Sequence, residues 1–299
     1  MARSEERHYD LEARRCLKGA GEFRRERLSA GTVLRRADVS AERLLEAVRL
    51  HTDRLLDPSR RGVLKADRRA LVTRVEPPGD GAPPLCVKEF RRPRARQRLQ
   101  DALRGSRARR AWLGAHACHV RGIAAPRALG ILEGRGRCWF VSEYLTEAFT
   151  LQEWIADHRP ARDASEVRAW RVLLLSAADF VARLHGHRLR HRDLAAKNIL
   201  ARERDGGFQL FLLDLSDVRL GRWPGRRFKI RNLGQLAQVP VPASRSDGLR
   251  FLRRYARSHP EVADRQGMRR IVAAARARQE NWLAHGGREW LEDRRARRA

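Results

Sequence analysis

The sequence predicts an α+β chain in two lobes, a small β-rich N-lobe followed by a helical C-lobe. Three observations carry this. Strand-like segments cluster between residues 63 and 144, helical patterns dominate after residue 150, and 299 residues suffice for one two-lobed domain. The expected division is an N-terminal extension with a helix (1–60), the β-rich lobe (61–146), and the helical lobe with a basic C-terminal tail (147–299). No internal repeat of useful period is visible.

Residues 1 to about 38 are charged and poorly periodic, and a loosely held start is expected. Ser40 is placed to cap a helix with Glu42 in its first turn. Leu44, Leu45, Val48 and Leu55 give that helix one apolar face, and Asp57-Pro58 ends it. Val63 to Val75 reads as a hairpin around Ala66-Asp67-Arg68-Arg69, and PPGDGAPP as a turn. Leu85 to Phe90 reads as a buried strand. Arg91 to Arg121 is helical and very basic. A strand follows at 127–132, a turn at Gly134 to Gly136, and another strand from Cys138 to Tyr144. Thr150 is placed to cap a helix through Trp154-Ile155, and Ser165 a long one to about His185. From Asn232 onward the pattern is mostly helical, and Ser258-His259-Pro260-Glu261 reads as a helix break.

The formal net charge is +29, from 65 basic and 36 acidic residues, and only five of the basic residues are lysine. A GC-rich coding bias toward arginine explains this as readily as an anionic partner: a membrane face, a phosphorylated glycolipid, or nucleic acid. The four cysteines, Cys16, Cys86, Cys118 and Cys138, have no C-x-x-C spacing. Buried reduced thiols are expected, which suits the cytoplasm. The stretch MARSEERHYDLEARR has no apolar core, so no signal peptide is expected. No apolar run approaches the eighteen or so residues of a membrane span, so any membrane association is expected to be peripheral, at the inner face of the inner membrane.

The chemistry is concentrated in His191-Arg192-Asp193-Leu194-Ala195-Ala196-Lys197-Asn198, followed sixteen residues later by Asp214 in FLLDLSD. The pattern H-R-D-L-x-x-x-N with a later strand-borne Asp is that of a kinase-like phosphotransferase. Phosphoryl transfer needs a base near the acceptor hydroxyl and oxygen ligands for the metal on the phosphates. Asp193 supplies the first; Asn198 and Asp214 supply the second, as hard donors suited to Mg2+. A hairpin of Ile199-Leu200-Ala201, a turn at Asp205-Gly206-Gly207, and Phe208 to Leu213 is expected to return Asp214 beside Asn198. The chain's own composition makes an accidental match about a one-in-ten-thousand event for this signature.

A cation on the ATP phosphates is also needed, and Lys88 in LCVKEF is placed for it, like the strand lysine of V-A-I-K. Its alternative is an ordinary solvent-facing strand lysine. Glu143 and Leu145, in Ser142-Glu143-Tyr144-Leu145, are expected to present their backbone to the adenine. Two features depart from the usual pattern. Val63 to Val75 contains no glycine, so the phosphates must be covered otherwise. From Arg91 to Leu132 there is no Glu to pair with Lys88; the only acid is Asp101, the candidate partner.

With these residues in hand, the chain resembles the lipopolysaccharide kinase (Kdo/heptose kinase, WaaP-type) family, over roughly residues 64–255. The resemblance rests on VKEFRRP, SRARRAW followed by RGIAAPRALG, LHGHRLRHRDLAAKNIL, LLDLSDVRL and RRFKIRNLGQLAQ. It implies a protein-kinase-like fold and transfer of phosphate from ATP to a sugar hydroxyl of a glycolipid, the lipopolysaccharide inner core (heptose or Kdo). By that resemblance Asp193 is the base, Asn198 and Asp214 hold magnesium, and Lys88 holds phosphates. Where family members carry a helix glutamate near Arg109 to Trp112, this chain has Arg-Arg-Ala. HRDLAAKN also resembles the HRDLAARN of protein-tyrosine kinases, with Lys197 standing near the transferred phosphate or acceptor. Against that rival, only about seventeen residues separate Asp214 from the helical stretch at Asn232, too few for a long activation segment. Another small-molecule kinase is a further alternative. A non-catalytic nucleic-acid or anionic-surface binding protein is the alternative of a different class, resting on charge alone; no aromatic ladder, helix-turn-helix or zinc motif appears. The run Arg104, Arg107, Arg109, Arg110 is read either as a solvated face or as a contact with an anionic membrane.

Overall fold

The computed structural model describes residues 2–68, 70–77, 82–91, 105–134, 136–158, 161, 163–221, 223–239 and 244–296. The chain divides into two compact units: Met1–Thr146 with Asp214–Leu220, and Glu147–Leu213 with Gly221–Ala299.

The first unit is built on a seven-stranded antiparallel sheet. Its strands are β1 (Phe23–Leu28), β2 (Gly31–Arg36), β3 (Val63–Ala66), β4 (Ala70–Val75), β5 (Leu85–Arg91), β6 (Ala128–Glu133) and β7 (Arg137–Glu143). They lie in the order β1-β2-β6-β7-β5-β4-β3. The register places Lys88 of β5 opposite Val72 of β4 and Phe140 of β7, so Lys88 stands mid-sheet. One face is covered by α2 (Ala41–Leu56), whose Ser40 cap accepts from the Arg43 N–H at 3.2 Å. Leu44 and Ala47 of that helix join Val33, Val75, Leu85, Val87, Leu129 and Val141 in one apolar core. Because side chains alternate along a strand, Val87 and Glu89 face α2 while Lys88 faces the other way. Glu89 on that face meets His51 at 3.4 Å, and His51 meets the Thr73 hydroxyl at 2.7 Å, all three buried. The face carrying Lys88 and Phe90 meets α3 (Arg107–His119), capped by Ser106.

The start of the chain is not loosely held, contrary to the expectation from its charge. The helix α1 (Ala2–Arg14) lies against α3, where the buried Arg121 guanidinium donates to Glu6 at 3.3 Å and Asp10 at 2.5 Å. The buried Trp112 indole donates to the Cys16 carbonyl at 2.9 Å. β1 and β2 continue the sheet past β6 as an edge hairpin. The arginines that hid this strand from a hydropathy reading line the exposed side of an edge, where charge discourages further pairing.

The second unit is mainly helical. It contains β8 (Ala148–Thr150), α4 (Leu151–His158), α5 (Ala164–Gly186), β9 (Ile199–Arg204) and β10 (Gly207–Leu212). These are followed by α6 (Arg226–Leu236), α7 (Arg245–Ala256), α8 (Arg265–Trp282) and α9 (Arg288–Ala296). Thr150 and Glu153 cap α4 reciprocally: the Glu153 N–H donates to the Thr150 hydroxyl and the Thr150 N–H to the Glu153 carboxylate. The long helix α5 starts two residues earlier than expected. Asp163 is its cap, accepting from the Ser165 and Glu166 N–H groups, and Ser165 sits inside the first turn. Its buried face, with Leu173, Leu174, Ala177, Phe180, Val181 and Leu184, is the spine of the unit. α6 begins at Arg226, not near Asn232, so eleven residues (215–225) separate Asp214 from the next helix. The break at residues 258–261 is present, with a single 3-10 turn at Pro260–Val262. No helix among the described residues is long and apolar enough to cross a membrane.

Candidate active site

In the first unit the strand lysine has found an acid. Lys88 Nζ donates to Asp214 Oδ1 at 2.9 Å, and the Ser216 hydroxyl donates to the same oxygen at 3.0 Å. Lys88 is therefore not the solvent-facing strand lysine of the alternative reading; its side chain is 20 % exposed and that of Asp214 24 %. Asp214 adopts φ +48° and ψ +51°, a left-handed conformation that a non-glycine residue holds at a cost, commonly at functional sites. The short turn Leu215–Asp217 behind it rests on α3: a Cβ on Gly114 would overlap the Leu215 carbonyl oxygen, so only glycine lets the helix approach this closely. Arg107 at the start of α3 lies over the Phe90 ring at 4.9 Å, and Lys88 lies over the same ring at 5.1 Å. Where a glutamate was sought, the helix thus supplies a cation, and Lys88 turns to Asp214. Asp101, the sequence's candidate partner for Lys88, lies outside the described residues, as does Arg104.

The end of β7 leaves backbone groups for a ligand. Glu143 N–H donates to the Arg127 carbonyl at 2.9 Å and Tyr144 N–H to the Pro84 carbonyl at 2.9 Å. Leu145 N–H makes no backbone hydrogen bond among the described residues. The Glu143 carboxylate is engaged by Arg127 at 3.1 Å, so only its backbone is suited to meet a base.

In the second unit the loop His191–Asn198 is held from three sides. Asn198 Nδ2 donates to the Asp193 carbonyl at 2.8 Å and to Asp193 Oδ2 at 3.2 Å, which leaves the Asn198 amide oxygen as its acceptor. Lys197 Nζ stands 3.9 Å from Asp193 Oδ2; the lysine side chain is 61 % exposed and the aspartate 44 %. Asp193, Lys197 and Asn198 are therefore together, with the carboxylate open to an incoming group. β9 and β10 pair as expected, Ile199 opposite Leu212, and the Leu213 N–H donates to the Asn198 carbonyl at 2.9 Å. His191 Nε2 donates to the Leu213 carbonyl at 3.1 Å.

The third support is α6, which the sequence reading did not single out. The buried Asn232 amide donates to the His191 carbonyl at 3.0 Å and to the Gln235 side-chain oxygen at 2.7 Å. Gln235 donates to the Arg192 carbonyl at 3.0 Å and accepts from the Leu194 N–H at 3.3 Å. Two side chains one turn apart thus hold three backbone groups of the loop, on His191, Arg192 and Leu194. The signal was present: two amides at i and i+3 stand among Ile230, Leu233 and Leu236 on a buried face, where polar groups need partners.

The cysteines play no part in this chemistry. Burial pushes the Cys86 thiol up to about 11 and the Cys118 thiol up to about 12, so both stay protonated and inert. Asn198 and Asp214 offer hard oxygen donors, and among the described residues no cluster of three or more His, Cys, Asp or Glu could hold a metal. Each of the two, in its own unit, is a hard oxygen donor of the kind magnesium takes.

A sheet unit with an internal lysine–aspartate pair, and a helical unit with an anchored H-R-D-L-x-x-x-N loop, define a protein-kinase-like phosphotransferase acting on a hydroxyl. The model of the lipopolysaccharide kinase (Kdo/WaaP) family matches residues 87–255, and the chain belongs to that family. Among solved structures, WaaP in complex with acyl carrier protein aligns at 21 % identity with a TM-score of 0.54, covering 73 % of this chain and 87 % of that one. The PknI kinase domain of Mycobacterium tuberculosis aligns at 18 % identity with a TM-score of 0.40, covering 72 % and 94 %. No curated protein matches the chain. The chain is thus a lipopolysaccharide kinase of α+β, protein-kinase-like fold, and the family implies ATP as co-substrate.

Proposed function

We propose that the chain transfers the γ-phosphate of ATP to a heptose or Kdo hydroxyl of the lipopolysaccharide inner core. Asp193 accepts the proton of the attacking hydroxyl as its oxygen bonds to the γ-phosphorus and the bond from that phosphorus to the bridging oxygen breaks, with ADP as the leaving group. Asn198 keeps that carboxylate in place through its amide donors and turns its own oxygen to magnesium. Asp214 would be the second ligand of a magnesium ion, which when bound would supply positive charge against the phosphates. Lys88 contacts the ATP phosphates, and Lys197 lies beside the transferred group. The Glu143 carbonyl and the Leu145 N–H receive the adenine edge. The observation that carries this reading is the arrangement around Asp193. Its carboxylate is fixed by Asn198, flanked by Lys197 and open on one side, as a base facing an incoming hydroxyl must be.

The eleven-residue connection to α6 favours a sugar over a peptide, because a peptide platform has less room than the sequence alone suggested. The net charge of +29 suits a glycolipid acceptor presented at an anionic surface, and the acyl carrier protein bound to the WaaP relative makes a protein partner a second candidate. A site in the cytoplasm, peripheral to the inner membrane, follows from that acceptor.

The test is ATP turnover with purified core glycolipid against a generic tyrosine peptide. Turnover with glycolipid alone is expected. Asp193→Asn should lower it by about 100-fold or more while nucleotide binding survives, and Asp214→Asn should weaken Mg2+-dependent nucleotide binding. Lys88→Arg should raise the KM for ATP, since a guanidinium cannot replace the compact ammonium. Wild-type turnover by Asp193→Asn would overturn the assignment.

A further inference from the structure

The helical unit also contains a cavity away from the His191–Asn198 loop. A cavity of about 740 Å³ opens between the C-terminal end of α5, the start of α6 and the loop at residues 258–261. Its wall carries Arg183 from α5 and His187 at that helix's C-terminal cap, Trp223 and Arg226 at the entry to α6, and Lys229 one turn further on. His259 and Glu261 close the far side.

The cation at the floor is deliberately placed. Lys229 is one of five lysines in the chain, and its side chain is 1 % exposed. His259 Nε2 donates to the Ala182 carbonyl at 2.9 Å, so His259 Nδ1 is an acceptor, and Lys229 Nζ donates to it at 2.9 Å. Burial favours the neutral ring, holding His259 below the ordinary histidine range. Lys229 also donates to Glu261 Oε1 at 2.5 Å and lies 5.2 Å from the centre of the Trp223 ring.

The charges around the opening do not cancel. Lys229 is balanced by Glu261, and Arg226 by Asp264 at 2.6 Å. Arg183 on the wall, and Arg188 lying over Trp223 at 5.0 Å, have no acidic partner among the described residues. The α6 N-terminus adds to the field. Its cap is Gly225, which has no side chain to satisfy the first N–H groups, whereas Ser40, Ser106, Asp163, Ser244 and Asp264 do so for other helices.

We propose that this cavity binds a phosphate monoester, best fitted by a phosphorylated sugar. Arg183, Arg188 and the α6 N-terminus take the phosphate, Trp223 offers its ring to a sugar face, and Glu261 accepts from a hydroxyl. The volume lies within the range of small-molecule pockets. The site stands on the helical unit alone and does not depend on which hydroxyl the enzyme phosphorylates. It is also wired to the catalytic loop: Lys229 precedes Asn232 by three residues and Gln235 by six. At 1.5 Å per residue the site lies about 5–9 Å along α6 from the two amides that hold that loop.

The test is calorimetric titration of the full chain, with the nucleotide site filled by a non-hydrolysable ATP analogue and Mg2+. The probes are glucose 1-phosphate, and vesicles of phosphatidylcholine with either phosphatidic acid, a monoester, or phosphatidylglycerol, a diester, at equal charge. Trp223 fluorescence, compared with Trp223→Phe, reports occupancy of this cavity. Binding of glucose 1-phosphate, weakened about tenfold or more by Arg183→Gln and Arg188→Gln together, supports the site with a soluble or sugar-borne phosphate as its ligand. A preference for phosphatidic acid over phosphatidylglycerol with the same arginine dependence supports it with a lipid headgroup as the source. Arg183 is exposed and Arg188 partly buried, so thermal melting of the double variant, expected to match the wild type, accompanies the titration. Absence of binding to every probe, binding indifferent to the two arginines, or equal binding to both lipids overturns it.

Discussion

Replacing Asn232 by alanine isolates the support that α6 gives to the loop His191–Asn198. The amide is fully buried and makes three hydrogen bonds: to the His191 carbonyl at 3.0 Å, to Gln235 Oε1 at 2.7 Å, and from His185 Nε2 at 3.1 Å. Gln235 Oε1 keeps the Leu194 N–H after the change. The other two groups do not find water. His185 is fully buried, with its Nδ1 already receiving the Tyr255 hydroxyl at 2.8 Å. A buried donor or acceptor left unpaired costs about 1–3 kcal/mol, so the substitution should remove about 2–6 kcal/mol. That is a large part of the 5–15 kcal/mol typical of a folded protein. Urea unfolding measures the loss, with the slope unchanged if the folded state stays compact. Turnover reports the second effect: the His191 carbonyl loses its tether, and Asp193 two residues on should lose its fixed position, so kcat falls more than KM for ATP rises. Gln235→Met, which frees Arg192 and Leu194 instead, should show the same kinetic pattern with a smaller stability loss. A stability change below about 1 kcal/mol together with unchanged kcat would refute the claim that α6 anchors the loop.

Other outcomes follow from the same geometry. Burial lowers His185 and His116 to about 3, so each is neutral in the fold and takes its proton only on unfolding as the pH drops below about 6.5. Stability is therefore full above that pH and falls with acid, by up to about 2 kcal/mol per histidine between pH 6.5 and 5. A urea midpoint unchanged from pH 7 to 4.5 would contradict this. Gly114→Ala should destabilise the first unit and raise the KM for ATP, because the new methyl displaces Leu215 and with it Asp214. Nucleotide titration and thermal melting check it. Of the arginines at positions 104, 107, 109 and 110, Arg109 is already engaged by Glu133 at 3.2 Å. Changing Arg104, Arg107, Arg109 and Arg110 to Gln should then remove three contacts of about 1 kcal/mol each, a roughly hundredfold loss of affinity for anionic vesicles. Wild-type binding should fade between 0.1 and 1 M salt as the Debye length shrinks from about 10 to about 3 Å. Vesicle sedimentation indifferent to salt and substitution would leave the arginine excess without a surface role.

What the sequence revealed followed from periodicity and local chemistry. The Ser40 cap, the hairpin of β3 and β4, the buried strand of Lys88 and the pairing of β9 with β10 are each specified within a dozen residues. What it concealed depended on partners far away. β1 reads FRRERL and carries no apolar alternation, because it is an edge strand paired on one side only. At the start of α5, two residues able to cap lie two apart, and Asp163 prevails because one carboxylate oxygen accepts two N–H groups. α6 starts early at RRFKIR, where no capping side chain marks the boundary. The acid for Lys88 was sought on the neighbouring helix, whereas it lies 126 residues further on, brought into reach by a turn that glycine at position 114 allows.

The lysines make the same point in terms of charge geometry. In a chain where 60 of 65 basic residues are arginine, a lysine that persists is informative where a guanidinium would not fit. Lys88 presents a single ammonium to one carboxylate oxygen shared with Ser216, a contact that a planar fork would overfill. Lys229, itself buried, fits between a histidine nitrogen and a glutamate oxygen. Lys197 stands beside the open carboxylate of Asp193. Lys65, by contrast, only pairs with Asp67 on an exposed hairpin, where arginine would serve as well. Two of the five lysines, Lys88 and Lys229, therefore occupy positions with a built surrounding, one in the sheet unit and one in the second cavity. This equivalence is the reason for treating that cavity as a site rather than a gap in packing.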